Sequence, residues 1–138
     1  MRAGAAFRAP QHRYHRRDMH ELIFKIAPKA LWREAEAEGV FRGAPVDEKD
    51  GFIHFSTAEQ VAETARKHFA GQEELLLIAV RTAPLGERLR WEPSRGGALF
   101  PHLYAPMPLS ALAWVEELPL NEDGTHRMPA GLGRAARA

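Results

Sequence analysis

The 138-residue chain contains no cysteine. Disulfides, thiolate zinc sites and a cysteine nucleophile are therefore excluded. No apolar run approaches the roughly 20 residues that a membrane helix requires. The first residues include arginines but no apolar stretch behind them, unlike a secretory signal, so a cytoplasmic protein is expected. No G-x-S-x-G elbow is present to support a Ser–His–acid triad. His54 and His102 have no third ligand at a metal-binding spacing, and no metal site is expected.

Acid is missing from both ends. Residues 1–17 carry Arg2, Arg8, Arg13, Arg16 and Arg17 without a carboxylate, and residues 127–138 carry Arg127, Arg134 and Arg137 likewise. All 18 acidic side chains lie between Asp18 and Asp123, against 11 basic ones, so the overall charge of +1 conceals a middle of −7. Such a domain lacks the net basic character of most nucleic-acid-binding domains. Residues 1–18 show neither helical nor strand period and read as a flexible basic arm; patterned sequence begins at Met19, a second possible start. Residues 121–138, rich in Gly and Ala, read as a loose tail. The expectation is one domain over residues 19–120, flanked by these two segments.

What is present between them reads as α+β. The segment "ELIFKIA" is a short apolar strand, followed by Pro28 and the helix-forming "KALWREAEAEG", which Gly39 stops. In that helix Glu34, Glu36 and Glu38 read as a solvated face. "VFRGAPVDEKD" reads as a loop and "GFIHF" as a strand. "STAEQVAETARKHFAG" is the clearest helix, with Ser56 and Glu59 at capping-box spacing and His68 placed to gain from the helix dipole. "ELLLIAV" is apolar on both faces and should be a central strand. "ERLRWEP" alternates Leu89 and Trp91 inward with Arg88, Arg90 and Glu92 outward, and "ALAWVEEL" closes the fold. The expected architecture is a single domain with a split, curved, mainly antiparallel sheet of about six strands and two main helices.

Two segments carry candidate chemistry. In "DGFIHFSTAEQ", His54 shares a strand face with Phe52, and Ser56 and Thr57 open a helix whose free N–H groups can receive an anion. A phosphate or a sugar hydroxyl suits that combination; the alternative is a core histidine beside a helix cap. In "SRGGALFPHLY", Gly96 and Gly97 permit a tight turn and leave room beside a ligand. Arg95 offers a planar fork for phosphate or carboxylate, or instead pairs with Glu92 or solvent. His102 and Tyr104 share one strand face: the histidine can donate to an oxygen and the tyrosine can stack on a ring, or both are simply half-buried. Trp91 and Phe100 read as core. The expectation is one pocket, with His54 and His102 as catalytic candidates and Ser56, Thr57, Arg95, Gly96, Gly97 and Tyr104 as ligand contacts.

Together, "LIFKI", "LWREAEAEGVFRG", "DGFIHFSTAEQVAETARKHFAG", "ELLLIAV" and "LRWEPSRGGALFPHLYAPMPLSAL" resemble an uncharacterised bacterial family, domain of unknown function 952, across Met19 to Leu120. A more distant resemblance is to the ADP-ribosyltransferase superfamily, especially its RNA 2′-phosphotransferase branch. There a strand, a helix, a glycine and a loop precede a strand of the form x-V-H-L-S, which matches His54 and Ser56 here. That resemblance implies an ADP-ribosyltransferase-like cleft gripping the nicotinamide and ribose of NAD, or an ADP-ribosyl group. His54 and His102 would touch ribose or phosphate oxygens, Arg95 the phosphates, and Tyr104 a ring; transfer would pass through an oxocarbenium-like state. The first strand has Phe24-Lys25 where those enzymes carry His or Arg, and Glu116 and Glu117 lack the motif of a catalytic glutamate.

Three readings stay open. The first is an enzyme of the ADP-ribosyl- or phosphoryl-transferase kind, with NAD as its implied cofactor. The second is a binding or sensing module for a small phosphorylated or otherwise anionic ligand. The third is a protein-interaction domain with structural histidines. A carboxylate close to His54 in the fold would favour catalysis, and its absence would favour binding.

Overall fold

The computed structural model describes residues 20–137. The expected basic arm, residues 1–18, lies outside the described residues, as do Met19 and Ala138; the side chains of residues 95 and 134–137 also lie outside them.

The strands are β1 (Leu22–Pro28), β2 (Val40–Phe41), β3 (Ile53–His54), β4 (Leu75–Arg81), β5 (Leu89–Pro93), β6 (Leu99–Leu103), β7 (Met107–Pro108) and β8 (Leu112–Glu117). The helices are α1 (Lys29–Glu38), α2 (Pro45–Asp50), α3 (Val61–His68) and α4 (Ala130–Arg137). They form a mixed α+β domain in which every strand pairing is antiparallel: β1-β4-β8, β3-β6-β5 and the short pair β2-β7. Eight strands and four helices among the described residues replace the expected six and two. The additional pieces are brief ladders and short helices, whose periods are too short to read from a sequence.

The apolar run of "ELLLIAV" is central, as its two-sided pattern required: β4 lies between β1 and β8. One core cluster includes Ile23, Ala27, Trp32, Phe41, Ile78, Val80 and Leu103, with Trp91 packed against it. The other, across the β1-β4-β8 sheet, includes Phe24, Ile26, Val61, Leu75 and Leu77. The two main sheets meet behind β3. Phe55 N donates to Pro101 O at 3.0 Å, while one residue on Ser56 and Phe24 exchange a pair of 2.8 Å backbone bonds. The chain thus leaves β6 and joins β1 within two residues.

Three local expectations are corrected. First, the "VFRGAPVDEKD" stretch is not a plain loop, because it holds β2 and the six-residue α2. Pro45 starts that helix, Asp47 and Glu48 lie in its first turn, and Gly51 ends it at φ +88°. Second, α3 begins at Val61 with Gln60 at its N-cap, and the reciprocal pair in the turn just before it is Thr57 with Gln60 rather than Ser56 with Glu59. Thr57 N donates to Gln60 Oε1 at 3.0 Å, and Gln60 N donates to Thr57 Oγ1 at 3.2 Å. Gln60 Nε2 also donates to Leu99 O at 2.8 Å, fastening the cap to β6.

Third, the segment expected to be a loose tail is tied down. Leu120 and His126 form a bridge, buried His126 bonds Gln72 O through Nε2 at 2.8 Å, and Leu132 of α4 is buried in the second core cluster. Isolated apolar residues such as Met128 and Leu132 give too weak a pattern to predict that docking. No helix among the described residues is long and apolar enough to cross a membrane.

Leu132→Ala should cost about 2 kcal/mol or more of unfolding free energy in a denaturant titration, the range for truncating a buried leucine. A change within about 0.5 kcal/mol would mean that the tail is not part of the packed core.

Candidate functional site

His54 lies opposite His102 in the β3-β6 ladder. Strand alternation places Phe52, His54, Arg90, Glu92, Phe100, His102 and Tyr104 on one face of the β3-β6-β5 sheet. Ile53, Leu89, Trp91, Pro101 and Leu103 take the other face, toward the core. The two imidazole centroids are 5.5 Å apart, edge to face. Phe52 covers both: its ring is 4.2 Å from His102 in a stacked arrangement and 4.6 Å from His54.

Each histidine is held by a carboxylate. On His54, Nδ1 donates to Asp47 Oδ1 at 2.6 Å and Nε2 lies 3.0 Å from Asp50 Oδ2. On His102, Nδ1 donates to Glu92 Oε1 at 2.7 Å, and the Tyr104 hydroxyl donates to the same oxygen at 2.8 Å. An ionised carboxylate only accepts, so these bonds fix Nδ1 as a protonated nitrogen in both rings, while Nε2 of His54 faces a second carboxylate, Asp50. The hydrogen bond from His102, joined by that of Tyr104, holds the Glu92 carboxyl below its ordinary value, and the Tyr104 hydroxyl is pushed up by the same contact.

Asp47 organises the His54 side. It is 1% exposed and accepts four bonds: from Ala44 N at 2.8 Å, Lys25 Nζ at 2.8 Å, His54 N at 3.1 Å and His54 Nδ1 at 2.6 Å. Burial pushes its carboxyl up, but the His54 bond, the Lys25 charge and the Ala44 amide outweigh that and hold it at about 2. Burial lowers the Lys25 ammonium from its ordinary value, and Asp47 only partly restores it. Gly43 leaves the space required: a Cβ there would stand 2.7 Å from Asp47 Cβ, and its φ of +101° suits glycine.

A cavity of about 820 Å³ opens beside the pair. His54, His102, Lys25, Ser56 and Ser94 contribute to its wall, together with Leu31 of α1, Val46 of α2 and Phe69 beyond α3. The expected residues divide accordingly. His54, His102 and Ser56 share the cavity. Thr57, Gly96, Gly97 and Tyr104 are not among its lining residues.

The anion site expected at Ser56 and Thr57 is not formed. Both amides are already used, by Phe24 O and Gln60 Oε1, and Ser56 Oγ lies 3.1 Å from Thr64 Oγ1. Gly96 and Gly97 do form a tight turn at positive φ, carrying the Arg95 backbone in a single 3-10 turn. Glu92 is bonded to His102 and Tyr104. Phe100, read as core, contributes to the cavity wall.

Sequence reasoning did not single out Lys25, Asp47, Asp50 or Glu92 as parts of the site. A signal existed for two of them. "PVDEKDG" carries proline at a helix start and glycine just past its end, and that helix sets Asp47 and Asp50 three residues apart on one side. Among the described residues, no group of three or more His, Asp or Glu side chains is placed to hold a metal ion.

Acid should weaken the fold through Asp47. Its folded value of about 2 lies below the ordinary 3.8, so its stabilisation is present above about pH 4 and lost as pH falls through 2. The shift corresponds to about 2 kcal/mol. Asp47→Asn should be destabilised by about 3–5 kcal/mol at neutral pH, because Lys25 loses its buried partner. Its stability should also fall less than the wild type's between pH 4 and 2 in parallel urea titrations. Equal acid dependence in the two proteins would contradict the assignment.

The comparisons with known proteins agree with the described architecture. Two solved structures of protein CC0527 from Caulobacter crescentus are similar to this chain. The X-ray structure is 50% identical with a TM-score of 0.78, covering 81% of this chain and 98% of that one. The solution NMR structure is 52% identical with a TM-score of 0.69, covering 76% and 90%. A search of curated proteins found no match. The model of the family described as "protein of unknown function (DUF952)" matches residues 26–115, a span that contains β3, β5, β6 and both histidines. The chain belongs to the DUF952 family.

Proposed function

We propose that this domain is an enzyme for a small phosphorylated or ribosyl ligand, with His54 and His102 as its acid–base pair. The observation that carries the reading is the pairing of Nδ1 with a carboxylate in both rings, at 2.6 Å to Asp47 and 2.7 Å to Glu92, beside one cavity. A carboxylate so placed fixes the tautomer and orients the ring, which leaves Nε2 to exchange protons with a substrate. One ring, with Nε2 unprotonated, would take a proton from the attacking group. The other, doubly protonated, would supply one where the leaving group is an oxygen, whereas nicotinamide leaves NAD as a neutral ring and needs none. His54 is 35% exposed at its side chain and His102 is 7% exposed, so the two work in unequal contact with water.

The finer form of this proposal is ADP-ribosyltransferase-like. Its support is the order of elements through the His54 strand and the antiparallel sheets that meet beside the cavity. NAD and ADP-ribose are then the first ligands to test, with the ribose or a phosphate near the histidines. A carboxylate next to a reacting ribose would stabilise an oxocarbenium-like state, and Asp50 and Glu92 are the nearby partly exposed candidates.

One observation favours a second reading, a non-catalytic module for a small anionic metabolite. Asp50 lies 3.0 Å from His54 Nε2, the nitrogen that a general base needs free. In a sensing module, ligand binding would displace this contact without further chemistry.

The test is an NMR titration with NAD, ADP-ribose and inorganic phosphate, repeated on His54→Ala and followed by an assay for nicotinamide release. The proposal expects shifts over residues 51–57 and 99–104, with affinity lost in the variant. It also expects turnover to fall by about 10²–10⁴-fold in His54→Ala and in His102→Ala, the usual range for removing a general acid or base. Specific shifts without turnover would select the sensing module. Absence of shifts with all three ligands would remove both readings.

A further inference from the structure

The cavity extends well beyond the two histidines. From His54 and His102 it continues between α1, α2 and α3, where Leu31, Val46, Val61, Phe69 and Phe100 form much of its wall. Its volume of about 820 Å³ exceeds what a phosphate or a ribose fills and lies within the roughly 300–1,000 Å³ of small-molecule sites. Val46 is 54% exposed, the exposed large hydrophobic residue among those described, and it stands on this wall. Isolated exposed apolar side chains are ordinary, but this one continues an apolar lining that begins inside the cavity.

The polar lining of this extension is poorly suited to an extended anion. Lys25 is committed to Asp47 at 2.8 Å, the Thr64 hydroxyl is 3.1 Å from Ser56 Oγ, and Glu34 adds a negative charge, so that His68 is the one further side chain there able to carry positive charge. A pyrophosphate carries charge along its length and is normally met by several charge-assisted donors.

Resting on the reading that a polar head group sits at His54 and His102, we infer that the ligand also carries an apolar arm. That arm, an aromatic ring or short alkyl group, runs between α1 and α3 against Leu31, Val46 and Phe69. The substrate class is therefore an aryl- or alkyl-substituted phosphate or riboside. In a dinucleotide ligand the base-like ring would enter this arm and the pyrophosphate would lie outside it.

The experiment compares inorganic phosphate, 1-naphthyl phosphate and neutral 1-naphthol, each titrated into the whole chain while side-chain methyl, aromatic and imidazole NMR signals are followed. Naphthyl phosphate should bind at least tenfold more tightly than phosphate and move the Leu31, Val46 and Phe69 signals together with those of both histidines. Val46→Asn, which makes this exposed position polar without adding charge, should reduce the affinity ratio of naphthyl phosphate to phosphate several-fold.

If naphthol moves the three apolar residues but neither phosphate compound moves the histidines, the apolar arm stands and the head-group reading falls. If phosphate moves both histidines but naphthyl phosphate binds no better, or its gain survives Val46→Asn, the apolar arm is wrong while the head-group reading stands. If neither aromatic probe moves Leu31, Val46 or Phe69, the inference is overturned.

Discussion

The site depends on one buried carboxylate. Asp47 cannot be removed from water as an anion unless its lone pairs are occupied, and four donors from three segments occupy them. Lys25 brings β1, Ala44 brings the start of α2, and His54 contributes both its backbone and its ring. The arrangement fixes the distance between β1 and β3 from the side-chain layer, while the Phe24–Ser56 bridge fixes it from the backbone. His54 is therefore located twice over. Its ring is held through Nδ1 by Asp47 and faces Asp50 through Nε2, so its orientation is defined from both sides.

The second histidine is built more simply and from one sheet. His102, Glu92 and Tyr104 all belong to β5, β6 or the residue just beyond, so local strand register alone brings them together. Phe52 links the two halves by packing on His102, His54 and Tyr104 at once. Arg90 stands 4.8 Å from the Tyr104 ring centre and continues this face toward solvent. The site thus combines a long-range ion pair with a short-range hydrogen-bond chain, and the cavity lies beside both.

The parts legible in the sequence were those with a period or a local motif. The buried β4, the alternation in β5 and the shared face of His102 and Tyr104 follow from two-residue periodicity. His54 and His102 could be nominated because each interrupts an apolar strand. The carboxylates could not be assigned by the same route. Asp47 and Asp50 sit in a one-and-a-half-turn helix too short to show a hydrophobic face, and Glu92 looked like the outward residue of an alternating strand. Lys25 differed from its neighbours only in charge, in a strand that otherwise reads as core. Its partner is more than twenty residues away, and pairing at that range is a tertiary fact. The reciprocal pair before α3 uses Thr57 and Gln60 rather than Ser56 and Glu59 because Ser56 is used by the bridge to Phe24, a contact that local spacing does not encode.

The central claim is that carboxylates hold both imidazoles with Nδ1 protonated. Long-range ¹H–¹⁵N correlation spectra of the imidazole rings at neutral pH test this directly. The account predicts a protonated, strongly hydrogen-bonded Nδ1 in both His54 and His102, with the His54 signal lost from that position in Asp47→Asn. A bare Nδ1 in either ring of the wild-type protein would contradict it.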